Sequence, residues 1–584
     1  DQGASEALGP LPQWDLTDLY SAMDGEDLAA DLEKAGLVCR SFSQTYKSNL
    51  AGLAKSDPGK LASCLAEYEQ IEDLLGRIIS YAGLVYAGDT TDAKRAKFYG
   101  DIQEKITNAS THLLFFGLEL NKIGDADFSE LLASPAIAHY RPWLEDLRKD
   151  KPYQLEDRVE ELFHETMAGL RFDVGEETLP LEPTLNRLVD KDGAVRKAAS
   201  QALASTFKEN IRTFTLITNT LAKDKEISDR WRGFKDVADS RHLANRVEGE
   251  VVNALVETVQ NAYPRLSHRY YALKAKWFGQ DVLDFWDRNA PLPESAADPI
   301  GWDEARSIVL DAYAGFSPKM ADIARDFFDR NWIDAPTRPG KAPGAFAHPT
   351  VPSAHPYVLL NYQGKTRDVM TLAHELGHGV HQVLAAGQGA LMAPTPLTLA
   401  ETASVFGEML TFRSLLDRTS TKAERKILLA GKVEDMINTV VRQIAFYAYE
   451  RKVHLARKDG ELTSEQLCDI WMSVQAESLG PAIRLGDGYE TYWSYIPHFI
   501  HSPFYVYAYA FGDCLVNSLY AVYQNGSAGF DETYFDMLRA GGTKHHSELL
   551  APFGLDASDP GFWEKGVSVI EGLIVELETL EADG

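Results

Sequence analysis

The chain has 584 residues, and 86 acidic against 58 basic side chains give it a formal net charge of −28 at pH 7. This length permits one large hydrophobic core or several. The charge argues against binding to nucleic acid or to an anionic membrane surface, because both reward clustered lysine and arginine. A peptide, especially a cationic one, is a better-matched partner.

The cysteine pattern and the hydropathy narrow the class of protein further. The four cysteines lie far apart without a CxxC pair, so we expect neither a disulfide framework nor a thiolate metal site. The longest apolar runs, such as LLFFGLEL at 113–120, fall well short of the ~20 residues that a membrane-spanning helix needs. The first residues lack the basic and apolar regions of a secretion signal. We therefore expect a cytoplasmic protein.

The N-terminal part of the chain predicts helices. From 24 to 123 the apolar residues recur at three- and four-residue spacing, as in LLGRIISYAGLVYAG. The segment FDVGEETLPLEPTLN at 172–186 breaks the pattern, and a helix restarts behind an aspartate cap in VDKDGAVRKAASQAL. This break predicts a domain boundary near 185, which divides residues 1–185 from residues 186–584.

A second break, at 334–368, is dense in proline and glycine and contains YVLLNY, which is typical of a short buried strand. It leads directly into TLAHELGHGVHQ at 371–382, and helical periodicity then persists to the end of the chain. His348 and His355 lie in this break. Isolated loop histidines are usually solvated, so we do not predict them as metal ligands.

The segment TLAHELGHGVHQ carries a metal-ligand pattern. In a helix, His374 and His378 lie one turn apart and about 40° from each other around the axis, so both imidazoles can bind one ion. Glu375 flanks the same face, where a carboxylate can contact a water on the metal without being a ligand. HExxH can also occur by chance in a long helical protein, so a third ligand is needed.

His381 is a poor third ligand, because a straight helix carries it ~10 Å along the axis from His374. The metzincin pattern needs a glycine at the position of His381 and a histidine at the position of Leu384, so that class is excluded. We expect His381 to pack or to support a ligand from outside the coordination shell.

Glu401 is the better third ligand. The segment TLAETASVFGEMLTFRSLLD predicts a second helix with Glu401 and Glu408 on one apolar face. An unpaired buried carboxylate is costly, and a metal would supply a partner. His374, His378 and Glu401 would then bind one Zn²⁺, with Glu408 orienting a ligand imidazole. The alternative is that both glutamates form buried ion pairs with lysine or arginine.

The two segments TLAHELGHGVHQ and LAETASVFGEML together resemble the oligoendopeptidase F branch of the thimet oligopeptidase family of zinc metallopeptidases. Further similarity lies in WDLTDLY near the N-terminus, in GAFA, in YVLLNYQGKTRDV, and in PHFIHSPFYVYAYAFG at 497–512. These segments follow the order of the family along most of the chain.

The resemblance implies a predominantly all-α, elongated, two-lobed molecule with zinc on the floor of a deep substrate channel and a small sheet beside it. Residues 1–185 would form a channel wall, and residues 186–584 the catalytic domain. The family's ligands fall on His374, His378 and Glu401, and its general base on Glu375. Such enzymes hydrolyse internal bonds of short peptides. The region from KAPGAF to YVLLNY would offer a strand edge to an extended substrate.

For the aromatic segment 497–512, the resemblance assigns residue roles less directly. In the family, a histidine and tyrosines donate hydrogen bonds to the oxyanion and to the substrate. The candidates are His498, His501, Tyr505, Tyr507 and Tyr509. We select Tyr505 and Tyr509, one helical turn apart, together with His501, and the alternative is an aromatic core stripe.

Two other functions remain open. A zinc carboxypeptidase or dipeptidyl carboxypeptidase would need a cationic group for the substrate's carboxylate, and the sequence assigns none. A peptide-binding protein with a structural metal would have no use for Glu375 beside a three-ligand site.

Overall fold

The structure is a computed structural model that describes residues 7–149, 158–292, 299–526 and 528–582. The described helices before residue 300 span Glu26–Tyr46, Leu50–Ser56, Pro58–Gly88, Ala93–Ser110, Leu114–Lys122, Asp125–Ala133, Arg141–Lys149, Arg158–Gly169, Leu181–Asn186, Gly193–Arg232, Asp239–Ala244, Gly249–Ala262 and Ser267–Trp277. Those after it span Trp302–Phe316, Pro318–Asp329, Thr366–Ala385, Leu397–Ala400, Thr402–Arg418, Lys422–Thr439, Val441–Lys458, Ser464–Leu479, His498–His501, Tyr507–Gln524, Phe530–Arg539, His546–Leu550 and Pro560–Ala582. The predicted predominantly helical fold is confirmed.

The strands of the described residues are short. A hairpin joins Phe172–Val174 to Glu177–Leu179, and Leu283–Asp284 pairs in parallel with Ile483–Arg484. A three-stranded sheet has Tyr357–Tyr362 at its centre, which confirms the strand predicted from YVLLNY. None of the helices in the described ranges is long and apolar enough to cross a membrane.

The chain forms two compact units, each made of three segments. The first comprises Asp1–Tyr153, Ala297–Arg418 and Ser527–Phe553, and the second comprises Gln154–Ala296, Thr419–Gly526 and Gly554–Gly584. These units are defined by contacts and are discontinuous, whereas the boundary near 185 divides the chain by sequence and stays a prediction.

In the first unit, the sheet positions the HExxH segment. The central strand Tyr357–Tyr362 is almost wholly buried, because Ile333–Pro336 pairs with it in parallel on one side and Phe346–His348 antiparallel on the other. We call Phe346–His348 the edge strand, since it ends the sheet. After Tyr362 the chain turns through Gly364, whose φ of +81° suits glycine, and enters the helix Thr366–Ala385.

The second unit is organised around Gly193–Arg232, a helix of 40 residues. The Asp192 carboxylate accepts the backbone N–H of Ala194 at 2.8 Å, which confirms the predicted aspartate cap. The helix ends at Gly233, whose φ of 76° is left-handed, as is common at helix C-termini. The aromatic segment 497–512 belongs to this unit.

Candidate metal centre

The helix Thr366–Ala385, which we call the HExxH helix, begins at a local cap. The Asp368 carboxylate accepts the backbone N–H groups of Gln363 and Lys365 at 2.8 and 3.0 Å. The apolar face of the HExxH helix, which includes Leu372, Leu376 and Val380, is fully buried. This burial fixes the rotation of the helix, so the histidines face the opposite way.

The HExxH helix packs closely against the helix Thr402–Arg418, which we call the Glu408 helix. A Cβ at Gly377 would overlap backbone atoms of Ala403 and Ser404, so only glycine permits this approach. At the same crossing, the buried hydroxyl of Tyr313 donates to the Ala373 carbonyl and lies against Gly407. Two backbones in near contact leave the ligand side chains little freedom to move apart.

Three donor atoms converge at this crossing. The Glu401 Oε2 lies 3.4 Å from the His374 Nε2 and 3.4 Å from the His378 Nε2, and one atom from each residue falls within 4.8 Å of the others. The three side chains are 21–31 % exposed, so the cluster borders open space. The structure thus brings together the three residues predicted as zinc ligands.

These residues fit zinc. Ligands at 2.0–2.1 Å in a tetrahedron lie about 3.3–3.4 Å apart, which is the separation of the Glu401 oxygen from each imidazole nitrogen. Two imidazoles and a carboxylate are a usual catalytic zinc set, and three protein ligands leave a fourth position free.

Glu401 lies between two helices instead of within one. A short helix, Leu397–Ala400, precedes it, and the Glu408 helix begins at the next residue. The Ser404 hydroxyl donates to the Glu401 Oε2 at 2.5 Å and orients the carboxylate. Sequence reasoning missed Ser404, although its position three residues after Glu401 on a helix placed it within reach.

Glu408 contacts the outer nitrogen of a ligand. Its Oε2 lies 3.1 Å from the His374 Nδ1. Burial disfavours the imidazolium, but the hydrogen bond to Glu408 and the charges of Glu408 and Glu401 outweigh it and raise the pKa of His374 to about 9. A carboxylate on Nδ1 directs the Nε2 lone pair toward the cluster.

Glu375 is close to the ligands but points elsewhere. It is 7 % exposed, and burial raises the pKa of its carboxyl to about 7. The backbone N–H of Ala347 in the edge strand faces this carboxyl and partly offsets the effect of burial on its pKa. The Ala347 carbonyl accepts from the Gln382 Nε2 at 3.2 Å, so a residue of the HExxH helix holds the edge strand beside the cluster.

His381 is buried and does not join the converging donor atoms. Its Nε2 lies 3.3 Å from the Thr395 Oγ1, and burial lowers the pKa of the imidazole to about 4. Thr395 lies just before the segment that carries Glu401, so this contact ties the HExxH helix to the chain that delivers the third ligand.

The two histidines that the sequence placed in loops have structural partners, and His348 lies at the end of the edge strand instead of in a loop. The His348 Nδ1 accepts the backbone N–H of Thr350 at 2.9 Å. The His355 Nε2 lies 2.9 Å from the Asp18 carboxylate, and the ring stacks on Trp332 at 3.7 Å between centroids. Neither is a ligand of the cluster, and His355 is held by these contacts instead of being solvated.

In the second unit, the aromatic segment forms its own cluster. The His498 Nε2 lies 3.1 Å from the Tyr509 hydroxyl, and the Tyr505 and Tyr509 rings are 5.3 Å apart. His501 points away, with its Nδ1 3.3 Å from Glu160 and its ring stacked on His164. Tyr507 is buried against His242 and Asn245.

A helical core that presents an HExxH helix, a following glutamate and a supporting carboxylate defines a metallohydrolase of the HExxH class. The pattern of Peptidase family M3 matches residues 313–569, and that of Oligopeptidase F matches residues 119–170. The chain belongs to peptidase family M3, in its oligoendopeptidase F branch, and is a metallopeptidase.

Sequence relatives align with nearly the whole chain. Group B oligopeptidase PepB of Streptococcus agalactiae is 27 % identical over 98 % of this chain and 97 % of its own length. Oligopeptidase PepF of Bacillus subtilis is 26 % identical over 92 % of this chain and 82 % of its own. The structure of oligoendopeptidase-F from Enterococcus faecium superposes with a TM-score of 0.68 at 21 % identity, covering 96 % of this chain and 98 % of that one.

Proposed function

We propose that the protein is a zinc-dependent oligoendopeptidase that hydrolyses internal bonds of short, unstructured peptides. The observation that carries this proposal is the convergence of His374, His378 and Glu401 at zinc-ligand spacing, with Glu375 on the same helix facing the edge strand. The relatives named as oligopeptidases support the same substrate class.

In this proposal each residue of the site has a distinct task. A zinc ion bound here would supply a Lewis acid for the scissile carbonyl and would acidify a water molecule. His374, His378 and Glu401 would hold the ion, and Glu408 would keep the His374 Nε2 available for it. Glu375, with its pKa of about 7, would take a proton from the water whose oxygen bonds to the carbonyl carbon, and would pass that proton to the nitrogen that leaves as the amine when the C–N bond breaks.

The edge strand would bind the substrate backbone. It pairs with the sheet on one side only among the described residues, so an extended peptide can add to its other side. Ala347 is the central residue of this strand, because its C=O accepts from Gln382 and its N–H faces Glu375. A substrate backbone that takes up the Ala347 N–H would leave the Glu375 carboxylate free to take a proton.

For the oxyanion we propose Tyr505 and Tyr509 as donors, supported by His498. The sequence selected His501 for the histidine of this group. The 3.1 Å contact of the His498 Nε2 with the Tyr509 hydroxyl favours His498, because a histidine beside the phenols can fix the direction of their O–H groups.

The Glu375→Gln variant tests the role of the base. The amide keeps the size of the side chain but cannot take the proton, so turnover should fall by roughly 10²–10⁴-fold. Metal analysis should still find about one zinc per chain, because the three ligands are untouched. Substantial turnover at full metal occupancy would remove Glu375 from the mechanism.

A peptide-cleavage map by mass spectrometry tests the substrate class. Short peptides should be cut at internal bonds whether or not the C-terminus is amidated, and stably folded proteins should resist. Loss of cleavage on amidation would favour the carboxypeptidase alternative, which needs a free carboxylate. Zinc binding without any peptide cleavage would favour a peptide-binding protein with a structural metal.

A further inference from the structure

The turn before Tyr505 is strained. Phe504 has a φ of 62°, in the left-handed region that bulky residues avoid, and its side chain is fully buried. Such a backbone conformation is unfavourable and persists only when surrounding groups impose it. The Tyr505 N–H donates to the Ser502 carbonyl at 3.0 Å and closes the turn, but this bond is compatible with either orientation of the 503–504 peptide group. The observed orientation therefore needs an external hold.

Two side chains from other helices hold one peptide group in this turn. The Glu450 carboxyl oxygen accepts the Phe504 N–H at 2.7 Å, and the Arg241 Nε–H donates to the Pro503 carbonyl at 3.1 Å. That N–H and that carbonyl are the two polar ends of the peptide unit between Pro503 and Phe504. We call this pair of contacts the 503–504 clamp.

The clamp opposes one specific motion. Rotating the peptide plane by about 180° would carry the φ of Phe504 from positive to ordinary negative values and relieve the strain. The rotation would also break both contacts of the clamp. Without Glu450 and Arg241, the relaxed orientation would be favoured. Among the described backbone contacts of the turn, only the hydrogen bond from the Tyr505 N–H to the Ser502 carbonyl, at 3.0 Å, would then still hold the chain that leads into Tyr505.

The clamp lies in a buried, crowded place. Glu450 is 2 % exposed, and its second oxygen has no hydrogen-bond partner in the described part of the chain. It borders a cavity of about 30 Å³ with Tyr449, His454 and Pro503. The Phe504 ring packs on His454 and Tyr447, at 4.8 and 5.9 Å between centroids. Burying a carboxyl among such side chains is costly, so stability alone does not explain Glu450.

We propose that Glu450 and Arg241 are positioning residues that hold the 503–504 peptide group so that the Tyr505 hydroxyl keeps its place beside His498 and Tyr509. This inference rests on the proposed role of those side chains at the oxyanion. Arg241 reinforces it directly, because its guanidinium lies 5.8 Å from the centre of the Tyr505 ring.

The protonation state of Glu450 decides which variants are informative. Burial raises the pKa of Glu450 to about 8, although Arg241 and Lys225 face it and favour its anion. Lys225 is itself paired with Asp229 at 2.5 Å, and burial holds the pKa of His454 far below its usual range. At neutral pH Glu450 is therefore mainly the acid, which glutamine imitates in shape and charge.

The test compares Glu450→Met, which removes the acceptor at similar length, with Glu450→Gln, which keeps it. With zinc fully bound, Glu450→Met should lower kcat roughly 10- to 100-fold with less effect on KM, because a small misplacement of a catalytic group is enough. Glu450→Gln should retain most of the turnover. A crystal structure of Glu450→Met should show the 503–504 peptide group rotated and Phe504 at negative φ.

Two further variants keep the test decisive. Arg241→Met removes the other contact of the clamp, and Arg241 is only half-buried. This variant should show the same rotation, and it takes the place of Glu450→Met in the test if Glu450→Met does not fold. Glu434→Met is the matched control, because it breaks a buried contact with Lys274 at 2.8 Å in the same unit without touching the turn. It should lower stability and leave the kcat of the folded enzyme unchanged.

A double-mutant comparison separates this inference from the proposed function. In a Tyr505→Phe background, Glu450→Met should have little further effect on kcat, since both act through one hydroxyl. An undiminished effect, or an unrotated peptide group in both clamp variants, would overturn the inference. If Tyr505→Phe alone keeps full turnover, Tyr505 has no role at the oxyanion. The inference about the clamp is then tested only by whether the 503–504 peptide group rotates in the structures of the clamp variants.

Discussion

At the scale of single residues, Glu401 and Glu408 show how two carboxylates near one metal site acquire different tasks. Glu401 offers an oxygen within 3.4 Å of both ligand nitrogens, whereas Glu408 contacts the Nδ1 on the far side of His374. The first geometry is that of a ligand. The second orients a ligand without approaching the ion.

This difference predicts unequal losses of zinc affinity. Glu401→Ala should abolish stoichiometric zinc binding, because it deletes one of three ligands. Glu408→Ala should weaken binding by roughly 10- to 100-fold, as outer-shell changes do. Competition with a chelator of known affinity measures both. If Glu408→Ala loses the metal and Glu401→Ala keeps it, the two assignments must be exchanged.

At the scale of elements, the site depends on how closely the HExxH helix and the Glu408 helix approach. Gly377 faces the backbone of Ala403 and Ser404, so the crossing has no room for a side chain. The proposed ligands His374 and His378 lie on one helix, and the proposed ligand Glu401 directly precedes the other. The distance between the two helices therefore sets the distance between the proposed ligands.

Gly377→Ala should consequently damage both stability and metal binding. The added methyl group must push the helices apart, which should cost about 1–3 kcal/mol and weaken zinc binding at least several-fold. Gly431→Ala is the matched control, since Gly431 lies in the helix Lys422–Thr439 with open space around it. It should be neutral or stabilising by up to about 1 kcal/mol. Thermal unfolding and zinc titration measure both variants, and equal behaviour would contradict the close-packing argument.

At the scale of the whole molecule, the charge of −28 bears on which peptides reach the site. A strongly acidic protein attracts cations at long range, and salt screens that attraction. Net charge does not reveal the field at the zinc ligands, so the effect has to be measured on turnover.

Among otherwise matched peptides, a basic one should show the higher kcat/KM at low salt. The advantage should shrink as the salt concentration rises past ~0.1 M, where the Debye length falls to about 10 Å. A neutral peptide of the same length is the control for salt effects on the enzyme itself. A preference for basic peptides that salt does not alter would point to a direct contact instead of long-range attraction.

Helical periodicity was enough to predict much of the fold and of the metal centre. The i, i+4 spacing of His374 and His378 determines their common face wherever the helix forms, because the helix has 3.6 residues per turn. Glu401 was predicted as the third ligand because it is a carboxylate on an otherwise apolar segment. YVLLNY was predicted as a strand from its length and composition. These inferences are local, so they needed no knowledge of distant contacts.

The histidine that accompanies Tyr505 and Tyr509 was beyond such reasoning. Between His501 and Tyr505 the chain leaves the helix through Phe504 at positive φ, so angles counted along a helix no longer apply. That turn is held by Glu450 and Arg241, far away in sequence. Contacts between residues far apart in sequence also determine which three segments of the chain join in each of the two units. Sequence spacing determines directions within a regular element, but where elements bend and which distant residues hold them is decided only by tertiary packing.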